Sequence, residues 1–241
     1  MDKFIEVDGK KISYSDIGNG PTIVFLHGWL DSKKVFDNLT SILFSKYRCV
    51  SIDLPGFGES DVIKDVTLIK MSQIINKVIK KIGISHFDLV GHSMGGAITL
   101  VYASRYQEKI KKVVLISPFV TFKQFSKSVF YFISNFFPFL ITKLMSLKKP
   151  NLKVVNAFRV AYLLSNVDLY KYLRKVRKDI LVVYGRRDAL LSIRPLEPLF
   201  GVLNNIHLAI FEDVRHYIFS YNSEDLANKI DLFFQKNNTY N

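Results

Sequence analysis

Short runs of apolar residues alternate along this chain with longer stretches in which apolar positions recur every three to four residues. The short runs predict strands that are buried on both faces, and the longer stretches predict helices that bury one face. The first two segments, Phe4–Val7 and Lys11–Asp16, instead alternate apolar and polar residues around Asp8-Gly9 and predict a hairpin. The buried strands are predicted at Thr22–Leu26, Arg48–Asp53, Phe87–Gly91, Val113–Ser117, Ile180–Gly185 and Ile206–Phe211.

The helical period is clearest between Val66 and Ile82, where Gly83 closes the pattern. Further helices are predicted at Val35–Phe44 and at Ser223–Phe234, the second with Ser223 as its N-cap. Strands that alternate with helices in this way indicate an α/β fold with a mostly parallel, doubly wound sheet.

About sixty residues separate the strands Val113–Ser117 and Ile180–Gly185, far more than one crossover helix needs. We therefore predict that residues 118–178 form an inserted helical lid, and that residues 1–117 and 179–241 form the α/β core. Inserts of this kind cover the carboxyl ends of the strands, which is where ligands bind in open α/β sheets.

The charge of the chain is concentrated in this insert. The net charge is +13, and the segment 119–178 holds twelve basic residues against one acidic residue, Asp168. The insert therefore accounts for +11 and the rest of the molecule for only +2. A basic surface that belongs to one apolar insert does not indicate a nucleic-acid-binding fold.

The cysteine content and residues 1–20 indicate the cellular compartment in which the protein is expected. The single cysteine, Cys49, excludes an internal disulfide and lies in a predicted core strand, as expected for a protein in a reducing compartment. Residues 1–20 mix acidic and basic side chains and contain no apolar core of signal-peptide length. We expect a cytoplasmic protein.

The segment Gly91-His92-Ser93-Met94-Gly95 carries the clearest chemical signal. It follows a predicted strand and opens a predicted helix, which is the context of a nucleophile elbow. In such a turn the glycines remove side chains that would collide, the serine hydroxyl projects into a cleft, and the next backbone N–H faces the same space. We predict that Ser93 is a nucleophile.

A serine hydroxyl needs a base, and the base needs a carboxylate that fixes its tautomer. His216 lies after the last predicted strand, and Asp188 lies in the turn after Ile180–Gly185, so both are expected at the same sheet edge as Ser93. Asp213, three residues before His216, is the alternative acid.

Other polar residues near these turns have structural interpretations. Asp53 is expected to accept hydrogen bonds within its own turn, and His27 and His92 are expected to pack or to bond locally.

Five segments together resemble the α/β-hydrolase superfamily, in the order typical of that family. They are Leu26–Trp29, Asp53–Ser60, Gly91–Gly96, Tyr184–Asp188 and His216. The most similar group is that of small bacterial carboxylesterases, including those that demethylate pimeloyl esters.

This resemblance implies the α/β-hydrolase fold and the chain order of its catalytic triad, with Ser93 as nucleophile, Asp188 as acid and His216 as base. It also implies an oxyanion hole formed by the backbone N–H groups of Trp29 and Met94. The implied activity is hydrolysis of a carboxylic ester through an acyl-enzyme intermediate, without cofactor or metal.

The residue at the elbow limits the reactions that the protein is expected to catalyse. Relatives that open epoxides or displace halide use aspartate at the elbow, and position 93 is serine. Thioesterases, C–C bond hydrolases and perhydrolases use the same triad and remain alternatives. A ligand receptor on the same fold is a further alternative, although a receptor needs no complete triad.

An uncharged stretch, residues 128–142, is flanked by lysines within the predicted lid. Its phenylalanines, including Phe130, Phe136 and Phe137, are expected to line an acyl pocket. The Trp29 side chain is expected either to line that pocket or only to pack beside the loop that forms the oxyanion hole. The stretch is shorter than a membrane span, but it could dock on an anionic membrane surface. The lid cations could also pair with an anionic substrate head group. The acyl-pocket and the membrane-docking interpretations both favour an apolar or lipid-like ester substrate.

Overall fold

The computed structural model describes residues 2–125, 139–140, 142–147, 151–165 and 167–236. Eight strands within these residues form one sheet. They are β1 Lys3–Val7, β2 Lys10–Ile17, β3 Thr22–Leu26, β4 Arg48–Ile52, β5 Phe87–His92, β6 Ile110–Ile116, β7 Ile180–Gly185 and β8 Ile206–Phe211.

The spatial order of the strands is β1-β2-β4-β3-β5-β6-β7-β8. The hairpin β1–β2 is antiparallel and β2 pairs antiparallel with β4, whereas every later pair is parallel. This confirms the predicted α/β class with a mostly parallel sheet. It also places the carboxyl ends of β3, β5, β7 and β8 at one edge, where the candidate residues follow.

The helices cover both faces of the sheet, as a doubly wound fold requires. The described helices are α1 Asp37–Leu43, α2 Leu68–Lys81, α3 Met94–Tyr106, α4 Leu152–Ser165, α5 Tyr170–Leu173, α6 Glu197–Phe200, α7 Ile218–Tyr221 and α8 Ser223–Gln235. Apolar side chains of α2 and α3 form one core layer, and those of α1 and α8 form the other.

The last helix begins differently from the prediction. Asn222 is the N-cap of α8, and Ser223 is already inside the helix. The Ser223 hydroxyl donates to the carbonyl of Phe219 in the preceding short helix α7. The prediction of Ser223 as N-cap is wrong because α7, which the sequence analysis missed, occupies the residues directly before it.

Part of the predicted lid packs against the core, since Val160 and Leu164 belong to the same cluster of buried apolar side chains as α2 and α3. Thr121 and Asp168 form an isolated antiparallel bridge, and the Leu169 N–H donates to the Val120 carbonyl at 2.8 Å, so the two ends of the insert meet. Of the helices in the described ranges, none has both the length and the hydropathy needed to cross a membrane. The domain boundaries at 117/118 and 178/179 stay predictions.

One buried carboxyl group lies outside the candidate site. Asp88, on β5, is 4% exposed, and its Oδ1 accepts the backbone N–H of Lys112 at 3.0 Å. Burial raises the pKa of Asp88 to about 6, because the charged form loses its hydration.

Candidate active site

Ser93 lies at the turn between β5 and α3 in a strained backbone conformation. Its φ is +52° and its ψ is −114°, outside the regions that a residue with a side chain ordinarily occupies. The turn is closed by glycines, since a Cβ on Gly91 would lie 2.3 Å from Thr99 Oγ1 and one on Gly95 only 2.0 Å from the Leu26 carbonyl oxygen. The local geometry is that of the predicted elbow.

His216 is joined to Asp188. The distance between His216 Nδ1 and Asp188 Oδ2 is 2.7 Å, and the Asp188 side chain is 1% exposed. Asp188 Oδ1 accepts the backbone N–H groups of Leu190 and Leu191, each at 2.9 Å, which fixes the carboxylate. A carboxylate at Nδ1 holds the proton there and leaves Nε2 as the basic nitrogen.

The alternative acid is not in this position. Asp213 has a side chain that is 80% exposed and pairs with Arg187 Nη2 at 2.8 Å. The structure therefore joins His216 to Asp188 and not to Asp213.

Ser93 and His216 line one cavity, which we call the Ser93 cavity, with a volume of about 520 Å³. Among the described residues the Ser93 hydroxyl makes no hydrogen bond, so Ser93 and His216 share a cavity without a hydrogen bond between their side chains. Most of the other lining residues are apolar. They are Gly28, Trp29, Leu30, His92, Met94, Phe119, Phe125, Phe158, Ala161, Leu164, Leu190, Leu191 and Tyr217.

Both residues predicted to form an oxyanion hole lie at this cavity. Trp29 follows β3 and Met94 opens α3, and both line the cavity beside Ser93. The two segments are close, because a Cβ on Gly28 would lie 3.4 Å from Ser93 Cβ. The Trp29 indole donates its Nε1–H to the Ala157 carbonyl at 2.8 Å, which ties this loop to α4.

Two further histidines are buried beside the site. His27 Nδ1 contacts the Gly28 carbonyl at 2.8 Å, and its Nε2 accepts the Leu54 N–H at 2.9 Å. Burial lowers the pKa of His27 to about 4 and the pKa of His92 well below its usual value. His92 Nε2 contacts the His216 carbonyl oxygen at 3.3 Å. Both residues are buried and contact backbone carbonyl groups, in agreement with the structural role expected for them.

Asp53 also has the local role that its turn predicts. Its carboxylate accepts the Glu59 N–H at 2.9 Å and the Lys33 N–H at 2.7 Å. The buried ammonium of Lys33 pairs with the same carboxylate at 2.9 Å. Asp53 therefore stabilises the loop after β4 and does not reach the Ser93 cavity.

Several cavity residues escaped the sequence analysis. Phe119 and Phe125 come from the segment that enters the insert, and Phe158, Ala161 and Leu164 come from one face of α4. Their spacing of three on α4 is the signal that could have found them. The predicted pocket residues Phe130, Phe136 and Phe137 lie outside the described residues, so their role stays a prediction.

Asp31 was also missed. Its Oδ1 accepts the Ser32 N–H at 3.0 Å, and its buried Oδ2 has no hydrogen-bond partner among the described residues. Burial raises the pKa of Asp31, while the hydrogen bond from the Ser32 N–H and, to a smaller extent, nearby His216 oppose this shift. It is a second carboxyl group near His216, but no hydrogen bond joins the two in the described part of the chain.

Nothing in this arrangement resembles a metal centre. Within the described residues, no three side chains of His, Cys, Asp or Glu converge to hold a metal ion.

Comparison with known proteins identifies one relative over most of the chain and another over about half of it. It is 24% identical over 223 residues to a pimeloyl-[acyl-carrier protein] methyl ester esterase of Wigglesworthia glossinidia brevipalpis, a match that covers 80% of this chain and 84% of that one. It is 29% identical over 130 residues to a 2-hydroxy-6-oxo-6-phenylhexa-2,4-dienoate hydrolase of Comamonas testosteroni, which covers 48% of this chain and 44% of that one.

Solved structures have the same architecture. An esterase from Exiguobacterium antarcticum superposes with a TM-score of 0.81 at 25% identity, over 98% of this chain and 100% of that chain.

A family model described as the alpha/beta hydrolase fold matches residues 21–155, which is more than half of the chain and contains both the loop after β3 and the Ser93 elbow. Together with the strand order and the geometry at Ser93, this match establishes that the chain belongs to the α/β-hydrolase family.

Proposed function

We propose that this protein is a serine hydrolase that cleaves carboxylic esters with an apolar acyl group. The observation that carries the proposal is the 2.7 Å contact between His216 Nδ1 and Asp188 Oδ2 at the wall of the cavity that holds Ser93. A nucleophile at a strained elbow, a base and its orienting acid then meet at one place.

In the first half of the reaction, Ser93 Oγ attacks the ester carbonyl carbon. The Ser93 proton moves to His216 Nε2, and Asp188 stabilises the imidazolium that results. When the tetrahedral intermediate collapses, the bond between the carbonyl carbon and the alkoxy oxygen breaks. His216 returns the proton to that oxygen, so the alcohol leaves and the acyl group stays on Ser93.

In the second half, water attacks the acyl-enzyme. His216 takes a proton from the water, a new bond forms from the water oxygen to the carbonyl carbon, and Ser93 leaves with the proton that His216 returns. The backbone N–H groups of Trp29 and Met94 are proposed to bind the oxyanion in both halves. One such donor is typically worth about 3 kcal/mol of barrier.

The lining of the Ser93 cavity supports an apolar acyl group. Phe119, Phe158 and Leu164 belong to its wall, and a volume of about 520 Å³ is within the range of small-molecule sites. The similarity to a methyl ester esterase over 80% of the chain supports ester chemistry.

The test is hydrolysis of p-nitrophenyl esters from acetate to palmitate by the wild type and by Ser93→Ala. We expect turnover by the wild type with an optimum at one acyl length, and loss of that turnover in the variant. A matched control is Ser104→Ala, which removes a hydroxyl whose one hydrogen bond within the described residues is to the Val101 carbonyl of its own helix, at 2.9 Å. Absence of turnover on every ester by folded wild-type protein would refute the proposal.

C–C bond hydrolysis is the second candidate, because a relative at 29% identity is a dienoate hydrolase. The same Ser93, Asp188 and His216 would serve that reaction. Hydrolysis of a 2-hydroxy-6-oxo-dienoate, measured as the loss of its absorbance, distinguishes the C–C hydrolase from the ester hydrolase. Turnover of the dienoate with no turnover of esters would favour the C–C hydrolase.

A further inference from the structure

A second depression lies beside His216, and we call it the Arg215 groove. It has a volume of about 750 Å³ and is lined in part by Arg187, Arg215 and Tyr221. Leu190, His216 and Tyr217 line both this groove and the Ser93 cavity. The two spaces are therefore neighbours that meet at the candidate base.

The groove differs from the Ser93 cavity in charge. It carries two arginines, and among its described lining residues there is no acidic side chain. Arg187 is already paired with Asp213 at 2.8 Å, and Glu212, the other acid of that loop, is paired with Arg186. Arg215 is exposed and has no ion-pair partner in the described part of the chain.

The groove lies where the leaving group of an ester would have to lie, next to His216. His216 Nδ1 is held by Asp188. Its Nε2 must therefore deliver the proton to the alkoxy oxygen, so the alcohol part of the ester has to lie next to His216. The apolar cavity beyond Ser93 is suited to the acyl part, and the only lining shared by the two spaces, within the described residues, is Leu190, His216 and Tyr217.

We propose that the Arg215 groove is the leaving-group subsite and that it favours alcohols bearing an anionic group, a carboxylate or a phosphate. The inference rests on the proposed ester hydrolysis. Arg215 supplies the unpaired guanidinium, whose planar N–H donors match a carboxylate or phosphate in two parallel hydrogen bonds. Tyr217 and Tyr221, 41% and 83% exposed, line the same groove.

The test compares two hexanoyl esters that have the same acyl group and nearly the same size. One is O-hexanoylglycolate, whose leaving alcohol carries a carboxylate, and the other is O-hexanoylglycolamide, whose leaving alcohol is neutral. The readout is the ratio of kcat/KM for the anionic ester to kcat/KM for the neutral ester. Comparing this ratio between variants cancels the intrinsic reactivity of each ester.

We expect Arg215→Gln to lower the ratio by about three- to tenfold, the effect of one charge-assisted contact at an exposed position. Arg215→Lys should keep part of the ratio, since it keeps the charge but loses the paired geometry. Arg174→Gln is the matched control: Arg174 is also exposed, lines neither space, and its loss should leave the ratio unchanged. In the wild type, added sodium chloride should lower the ratio as it screens Arg215.

The outcomes separate the two proposals. If the neutral ester is cleaved but the ratio is the same in the wild type, Arg215→Gln and Arg174→Gln, the anionic subsite is refuted while ester hydrolysis stands. If Arg174→Gln lowers the ratio as much as Arg215→Gln, the effect comes from net charge and the subsite is also refuted. If folded wild-type protein cleaves neither these esters nor p-nitrophenyl esters, the proposed function fails and the subsite fails with it.

Discussion

Gly95 lies two residues after Ser93, in the first turn of α3, and packs against the end of β3. A Cβ at this position would be 2.0 Å from the Leu26 carbonyl oxygen and 2.6 Å from the His27 carbonyl oxygen. Ordinary contact begins near 3.4 Å, so Gly95→Ala requires the elbow and the end of β3 to separate by about 1.4 Å. Both neighbours are backbone atoms, one from the last residue of the central strand β3 and one from the residue after it, and neither can rotate out of the way.

This separation would act on stability and on activity. Overpacking of a filled interior costs about 1–3 kcal/mol of the free energy of unfolding. The loop after β3 carries the Trp29 N–H and the elbow carries the Met94 N–H, so the same movement would pull apart the two proposed oxyanion donors. A misplacement of about 1 Å lowers the rate by about a hundredfold, and we expect a loss of at least that size in kcat.

The assay combines urea denaturation with the rate of p-nitrophenyl ester hydrolysis, measured where the variant is fully folded. Gly201→Ala is the matched control, because a Cβ at Gly201 meets no atom within 4 Å and its φ is −94°. It should leave both quantities close to those of the wild type. Folded Gly95→Ala with kcat within threefold of the wild type would show that the contact between β3 and the elbow does not set the position of the donors.

Two further predictions concern buried carboxyl groups. Asp188→Asn should lower kcat by about 10³- to 10⁴-fold, because the amide cannot stabilise the His216 imidazolium. The denaturation midpoint should stay that of the wild type, because the amide oxygen can still accept the Leu190 and Leu191 N–H groups. Asp88→Asn should raise the free energy of unfolding near neutral pH. The pKa of Asp88 is raised by burial to about 6, above the value of about 3.9 in an unfolded chain, so the stabilising protonated form is lost as pH rises through 6. The gain should approach about 3 kcal/mol above pH ~7 and vanish below pH ~4 in urea titrations.

Each of these has a clear contrary result. An Asp188→Asn enzyme with kcat within tenfold of the wild type would mean that Asp188 does not orient the base. Asp88→Asn would contradict its prediction if its effect were the same at pH ~4 and above pH ~7. Glu108→Gln, an exposed carboxyl change, is the control and should alter stability little at either pH.

The sequence alone determined most of the local elements of this protein. The predicted strands Thr22–Leu26, Ile180–Gly185 and Ile206–Phe211 have the bounds that the structure shows. The Ser93 elbow could also be predicted from the sequence. Glycines on both sides of a serine, between a predicted strand and a predicted helix, indicate this turn without any long-range contact. Chain order and the shared carboxyl edge brought Ser93, Asp188 and His216 together as candidates before any distance was known.

Only the tertiary structure showed which of Asp188 and Asp213 contacts His216, since both precede His216 and lie in two separate loops. It also decided the strand order, the helix α7 that displaces Ser223 from its predicted N-cap, and the residues that line the Ser93 cavity and the Arg215 groove. Periodicity and turn chemistry depend on neighbours along the chain. Distances between side chains such as Phe119 and Leu190 depend instead on sheet register and loop packing, which no local pattern encodes.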